Sequence, residues 1–273
     1  MQITSKVEKG ESTTKFVVLG DRQIPFHDTR AIRLARRVIE DFQPDYVVDL
    51  GDALDLPDLS TKYAPKPEHK MQFKSALRIY REQTEKEIEA CPTAKRIWIA
   101  GNHEQRLEKY VSVKAEALWE LLNDDGPLTL PKLVGIEDKV TYVQPYGEAW
   151  AYRWQGAEFL FKHGDRHNKF ASSSELSDLH TNGISGHLHR IQMMMQQTYS
   201  SLHGWWSNGC LCNIEGQNCP PGYMSGTGMR NWQQGLTTII FSNERPLFSV
   251  SPWVIHRGKT IVNGKVYIDT GGK

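Results

Sequence analysis

Lys15-Phe16-Val17-Val18-Leu19-Gly20-Asp21-Arg22-Gln23 and Tyr46-Val47-Val48-Asp49-Leu50-Gly51-Asp52 frame the stretch that decides the fold. Each opens as a short apolar, β-branched run, too short for a helix, and each stops at a Gly-Asp pair, as a buried strand ending in a turn does. Between them Ile32, Ala35, Val38, Ile39 and Phe42 recur at helical spacing behind Asp28, a residue suited to capping a helix. Strand, helix, strand in this order reads as a crossover unit with its strands parallel.

Further out, apolar runs at 96–100, 158–162 and 236–241 also read as strands. Helices are expected over about 68–89, with Phe73, Leu77, Tyr80 and Ile88 inward, and over 104–122, with Leu107, Val111, Leu118 and Leu121 inward. This alternation predicts the α/β class. No repeat, low-complexity linker or break in composition divides the chain, so 1–273 is expected to form a single domain. The stretch 191–235 holds Met193, Met194, Met195, Trp205, Trp206, Pro220, Pro221, Tyr223 and Trp232 among many glycines. It is expected to be an irregular cap or loop region, its aromatics either stacking nucleobases or forming a satellite core or subunit contact. Residues 236–273 are expected to complete the sheet, with Asn263-Gly264 turning a terminal hairpin.

Lys and Arg number 33 against 32 Asp and Glu, so no overall field draws the protein to nucleic acid or acidic membrane. The lysine-rich 62–74, with Lys66, His69 and Lys70, is either a solvated face or a local track for a phosphate backbone. No run reaches the roughly 18 apolar residues that suggest a membrane span, and the opening residues Met1 to Thr14 are polar and charged, so a cytoplasmic protein is expected. Cys91, Cys210, Cys212 and Cys219 do not make the framework of a secreted disulfide scaffold, so reduced thiols are expected. The last three are either core or loop cysteines or, with His203, a zinc site of unusual spacing.

The strand ends carry the chemistry. The runs stop at Gly20-Asp21-Arg22-Gln23, Gly51-Asp52, Gly101-Asn102-His103-Glu104 and His163-Gly164-Asp165, and Gly186-His187-Leu188-His189 follows. Carboxyl ends of strands in an open α/β sheet line one crevice, so these ligand-type residues can converge. His187 and His189, one residue apart, point the same way if the backbone there is extended. Two divalent cations about 3.5–4 Å apart need a bridging carboxylate and several terminal N and O ligands, and together they activate water against a phosphate. Asp52 is the natural bridge. Asp21 and His189 can complete one metal, and Asn102, His163 and His187 the other.

The blocks resemble the calcineurin-like metallophosphoesterases, whose pattern runs D-x-H, G-D-x-x-D, G-N-H-[DE], a lone His, then G-H-x-H. The resemblance covers Asp21 to His189, more than half of the 273 residues. It implies a four-layer αββα sandwich in which two divalent ions hydrolyse phosphate esters through a metal-bridging hydroxide, and the neutral, hard amide oxygen of Gln23 puts Mn²⁺ ahead of Mg²⁺, Fe, Ni or Zn²⁺. It also implies that His103 contacts the phosphate and gives a proton, with Asp55 orienting it. Gln23 stands where the family has His. It can ligate through its amide oxygen, act through a water, or leave the first position unfilled, with His27 folding back as a further option. Gly101 to Tyr110 also matches G-N-H-E-x-R-x-x-x-Y of bacterial and phage members labelled exonuclease-like. That likeness favours phosphodiesters, either nucleotides or DNA and RNA ends, with phosphomonoesters the near alternative. A metal-binding assembly protein without catalysis is the rival reading. Arg106 and Arg22 can each contact phosphate or form a structural ion pair.

Overall fold

The computed structural model describes residues 12–61, 72–122, 126–215, 219–220, 231–269 and 271. In β1 (Thr13–Leu19) successive side chains alternate sides: Val17 and Leu19 pack with α1 (Thr29–Phe42), and Phe16 and Val18 enter the space between two sheets. Both faces are covered, which is why the strand is a continuous apolar run. Asp28 caps α1 by accepting from the backbone N–H of Arg30 and Ala31 at 2.8 and 3.3 Å.

The chain returns through α1 to β2 (Tyr46–Asp49), parallel to β1. It then runs through α2 (Phe73–Ala90) to β3 (Lys95–Ile99), and through α3 (Gln105–Lys114) and α4 (Leu130–Val134) to β4 (Thr141–Val143), each strand parallel to the one before. β10 (Gln234–Ser242) and β11 (Phe248–Ile255) add antiparallel at the other edge, giving a six-stranded sheet in the order β11-β10-β1-β2-β3-β4. The second sheet is built from β5 (Ala149–Trp154), β6 (Ala157–Lys162), β7 (Asn182–Ser185), β8 (Gln192–Gln197) and β9 (Leu202–Ser207), in the order β5-β6-β7-β9-β8. Phe16, Val48 and Ile99 of one sheet meet Phe159, Phe161 and Trp206 of the other. With α1 and α2 outside the first sheet and α5 (Ala171–Leu179) packed on β7, β8 and β9, the layers are the αββα sandwich expected.

Four expectations need correction. The second helix starts at Phe73, and 68–71 lie outside the described residues, as does most of the lysine-rich 62–74. The third helix ends at Lys114, and Glu116–Leu122 winds as a 3-10 helix. Three residues per turn carry Leu118 and Leu121 off the inner α-helical face, and both are exposed. Within 191–235 the chain forms the regular strands β8 and β9. There Trp206 joins the core between the sheets and Trp205 is fully buried, its indole N–H donating to Ser185 Oγ at 3.1 Å, so neither offers a face to a base. Pro221 and Tyr223 lie outside the described residues. Finally, β12 (Lys259–Val262) and β13 (Lys265–Ile268) form the expected hairpin, but among the described residues it makes a two-stranded sheet of its own and packs Val262 and Tyr267 against the α1 core.

Candidate metal centre

Strand pairing continues past the ends of β1 and β2. Asp21 N–H donates to Gly51 O at 2.9 Å and Gln23 N–H to Asp52 O at 2.8 Å, so the two ligand-bearing loops are laced together. Asp21, Gln23, Asp52, His187 and His189 all adopt left-handed backbone, with φ between 49° and 66°. Such backbone costs roughly 1–2 kcal/mol per non-glycine residue and persists where surrounding contacts over-determine it. His187 and His189 therefore reach the site from a tight left-handed loop, and not from the extended backbone that their spacing suggests.

Gly101 explains how the third loop comes so close. A Cβ there would lie 2.2 Å from Asp52 Oδ1 and 2.5 Å from its backbone nitrogen. Gly101→Ala is expected to cost about 1–3 kcal/mol through overpacking and to weaken divalent-ion binding. A urea midpoint and a calorimetric titration both unchanged would show that the loops can separate.

The side chains then converge. His189 Nε2 lies 3.0 Å from Asp21 Oδ1, and the backbone N–H of His187 donates to both Asp21 oxygens at 3.2 and 3.0 Å. His163 donates from Nδ1 to the carbonyl of Leu50 at 2.8 Å, so Nε2, the position that takes up a proton or a metal ion, faces Asn102 Oδ1 at 3.1 Å, His187 Nδ1 at 3.1 Å and Asp52 Oδ2 at 3.4 Å. Acceptors aimed at one another in a buried pocket are the donor set of a cation. Asp52, His163 and His187 offer ligand atoms within 4.8 Å of one another, as do Asp21, Asp52 and His189, so Asp52 is common to both groups.

Gln23 lies against the first group: its Nε2 donates to Asp52 Oδ2 at 3.0 Å while its buried Oε1 has no hydrogen-bond partner. A half-turn of the amide exchanges the two ends and brings an oxygen to the ligand cluster. His27 instead faces Cys212 across an isolated bridge and belongs to neither group.

The electrostatics suit a cation. Burial works against ionising Asp52, but His103 and His163 hold its carboxyl well below the usual range. Burial also opposes protonation of His163, yet Asp52 and Asp21 push it up to about 9, whereas burial and the neighbouring His163 hold His187 down to about 4. The negative charge gathered here attracts a proton, or the metal ion that replaces it.

A family model for calcineurin-like phosphoesterases matches residues 14–237. The chain belongs to the calcineurin-like phosphoesterase family. Solved structures with a similar fold include vacuolar protein sorting 29 from Cryptosporidium parvum, at 12% identity over 93% of this chain and 94% of that one, with a TM-score of 0.45. They also include YfcE, a phosphoesterase from E. coli, at 10% identity over 87% and 98% with a TM-score of 0.39. A dimetal phosphatase from Danio rerio is 12% identical over 87% and 98%, with a TM-score of 0.42. No curated protein matches the sequence.

In this calcineurin-like phosphoesterase His103 stands beside the metal-ligand cluster. Its Nδ1 lies 2.5 Å from Asp55 Oδ1 and its Nε2 3.7 Å from Asp52 Oδ2. Arg106 Nη1 donates to Asp55 Oδ1 at 2.8 Å and to the Asp55 carbonyl at 2.6 Å, and Nη2 lies 3.1 Å from His103 Nε2. Arg22 points away: it is buried between Asp49 and Glu87, at 2.8 and 2.7 Å, which settles its role as structural.

Two contributors went unassigned in the sequence reading. Glu104 accepts from the backbone N–H groups of Asp52, Gly101 and Leu54 at 2.8, 2.8 and 3.0 Å, tying two ligand loops together; burial and the charge of Asp52 push it up to about 7. Its signal was the acidic residue closing Gly-Asn-His-Glu. His167, in the loop after β6, places Nδ1 2.7 Å from His187 Nε2, and only a second histidine in that loop hints at it.

Proposed function

We propose that this protein uses two divalent metal ions to hydrolyse phosphate esters, with phosphodiesters such as nucleotides or nucleic-acid ends preferred to monoesters. The observation that carries this reading is Asp52 shared between two ligand groups with His103 beside it. Asp21, Gln23, Asp52 and His189 would hold one ion, and Asp52, Asn102, His163 and His187 the other. The neutral, hard oxygens of Gln23 and Asn102 favour Mn²⁺ or Mg²⁺ over Zn²⁺. When bound, such a pair supplies an activated water and a charge clamp on the phosphate oxygens. His103 delivers a proton to the leaving oxygen, Asp55 orients its ring, and Arg106 fixes Asp55 while its partly exposed guanidinium offers charge to the phosphate. The diester preference is supported by the G-N-H-E-x-R-x-x-x-Y resemblance.

The test is hydrolysis of bis(p-nitrophenyl) phosphate beside p-nitrophenyl phosphate by chelator-stripped protein resupplied with Mn²⁺, Mg²⁺, Ni²⁺ or Zn²⁺. Turnover restored best by Mn²⁺, with the diester above the monoester, is expected. A monoester excess overturns the diester preference. Silence on both esters with metal bound overturns hydrolysis and makes a metal-binding assembly protein the better reading.

A further inference from the structure

Behind His189, on the side away from Asp21, sit two thiols that the phosphoesterase reading does not use. Cys210 and Cys212 flank Leu211, and both are fully buried and free. Their backbone is pinned on both sides: Cys210 N–H donates to Gln233 O at 3.0 Å, Gly235 N–H to Cys210 O at 3.0 Å, Leu211 N–H to Asp21 O at 3.1 Å and Gln234 Nε2 to Cys212 O at 2.8 Å. The thiols are thus held between residues 233–235 and the loop that carries Asp21.

His189 lies between two kinds of donor. Nε2 faces Asp21 Oδ1 at 3.0 Å, and Nδ1 faces Cys212 Sγ at 4.0 Å. The second nitrogen of a metal-binding imidazole ordinarily goes to a carboxylate, a carbonyl or water. Here it meets sulfur, and His189, Cys210 and Cys212 offer ligand atoms within 4.8 Å of one another. A tetrahedral ion with sulfur at about 2.3 Å and nitrogen at about 2.0–2.1 Å holds the two ligands roughly 3.6 Å apart. The observed 4.0 Å separation therefore closes to that spacing with a small side-chain shift.

We infer that Cys210, Cys212 and Nδ1 of His189 form a third metal position, for one thiophilic divalent ion of the zinc class. Thiolates select such an ion where carboxylates and amides select Mn²⁺ or Mg²⁺, so the two nitrogens of one imidazole face positions of different preference; binding releases the two thiol protons to solvent and, with both positions filled, the ring N–H proton as well, His189 then serving both ions as imidazolate. The sequence alone offered Cys210 and Cys212 as core or loop cysteines or as zinc ligands together with Cys219 and His203, and it did not bring in His189. His203 lies on β9 and does not join the cluster.

The test is the absorption spectrum and metal content of protein produced in cobalt-supplemented medium. Wild type is expected to show a sulfur-to-cobalt charge-transfer band. Cys210→Ser and Cys212→Ser are each expected to lose it with one cobalt equivalent per chain, while Cys91→Ser keeps it. Asp52→Asn, which cripples the carboxylate-rich centre, is expected to keep the band too, so the thiol position is judged separately from the phosphoesterase reading. A wild-type spectrum without the band, or a band unchanged in both serine variants, overturns the proposal. Where a serine variant does not fold, X-ray absorption of zinc-loaded wild type decides: sulfur neighbours at about 2.3 Å support the site, and nitrogen and oxygen neighbours alone overturn it.

Discussion

His103→Gln is expected to lower turnover of an alkyl phosphodiester by roughly 10²–10⁴-fold while leaving bound metal at the wild-type level. The geometry separates the two effects. His103 meets the ligand cluster at Asp52, whose Oδ1 accepts from the His103 backbone N–H at 2.9 Å and whose Oδ2 lies 3.7 Å from Nε2, and its other ring nitrogen is taken up by Asp55. Removing the imidazole therefore takes away the proposed proton donor and phosphate contact and leaves the Asp52 side chain in place. An alkoxide leaves only with a proton, whereas p-nitrophenolate is stable on its own. The loss on an alkyl diester is accordingly expected to exceed the loss on bis(p-nitrophenyl) phosphate by at least about tenfold, within the range proton transfer supplies. Equal losses on the two esters would show that His103 acts on phosphate charge alone. Asp55→Asn leaves the ring in place but loosens it, so a smaller loss with the same leaving-group dependence is expected. Asp52→Asn provides the contrast, because metal content and turnover of both esters are expected to fall together.

The parts of the site that were legible in the sequence are those where a residue type has few other uses in its setting. Asp21, Asp52, Asn102 and His163 each follow a run that must be a buried strand, and the strand ends converge because β1, β2 and β3 are parallel and the two sheets stack on Phe16, Phe161 and their neighbours. His187 and His189 were legible as a pair, but their left-handed backbone was not, since nothing in Gly186-His187-Leu188-His189 marks positive φ at a histidine. The roles of Arg22 and Arg106 depend on which way a long side chain turns. Arg22 turns to Glu87 on α2, far off in sequence, while Arg106 turns back one helical turn to His103 and Asp55. Trp205 and Trp206 misled for a related reason. Aromatics amid glycines read as a loop, whereas the strands that bury them are visible only once β7 and β9 pair.

Arg22→Met is expected to destabilise the fold by roughly 3–5 kcal/mol at neutral pH, the cost of leaving buried charge uncompensated. Arg22 reaches Asp49 Oδ2 at 2.8 Å and Glu87 Oε1 and Oε2 at 2.7 and 3.2 Å, and all three side chains are buried. Burial disfavours its charge, but Glu87 and Asp49 outweigh that and raise its pKa. One guanidinium, with a single positive charge, cannot neutralise two carboxylates. Burial pushes Asp49 up to about 6 against the pull of Arg22, with Glu87 adding to the rise. The folded chain thus holds the Asp49 proton more tightly than the unfolded chain, whose carboxyl titrates near 3.8. The stability this proton confers is fully present below that value and is lost as pH climbs to about 6, by up to about 1.4 kcal/mol per pH unit. Asp49→Asn carries no such proton. In chelator, the stability of wild type minus that of Asp49→Asn, taken from urea midpoints, is therefore expected to decline through this window and stay flat above it. A difference constant from pH 4 to pH 7 would show that Asp49 is ionised throughout. Apolar replacement of the whole cluster, with Arg22→Met, Asp49→Leu and Glu87→Leu together, is expected to recover most of what Arg22→Met loses, because the penalty comes from the unpaired carboxylates and not from the missing side chain.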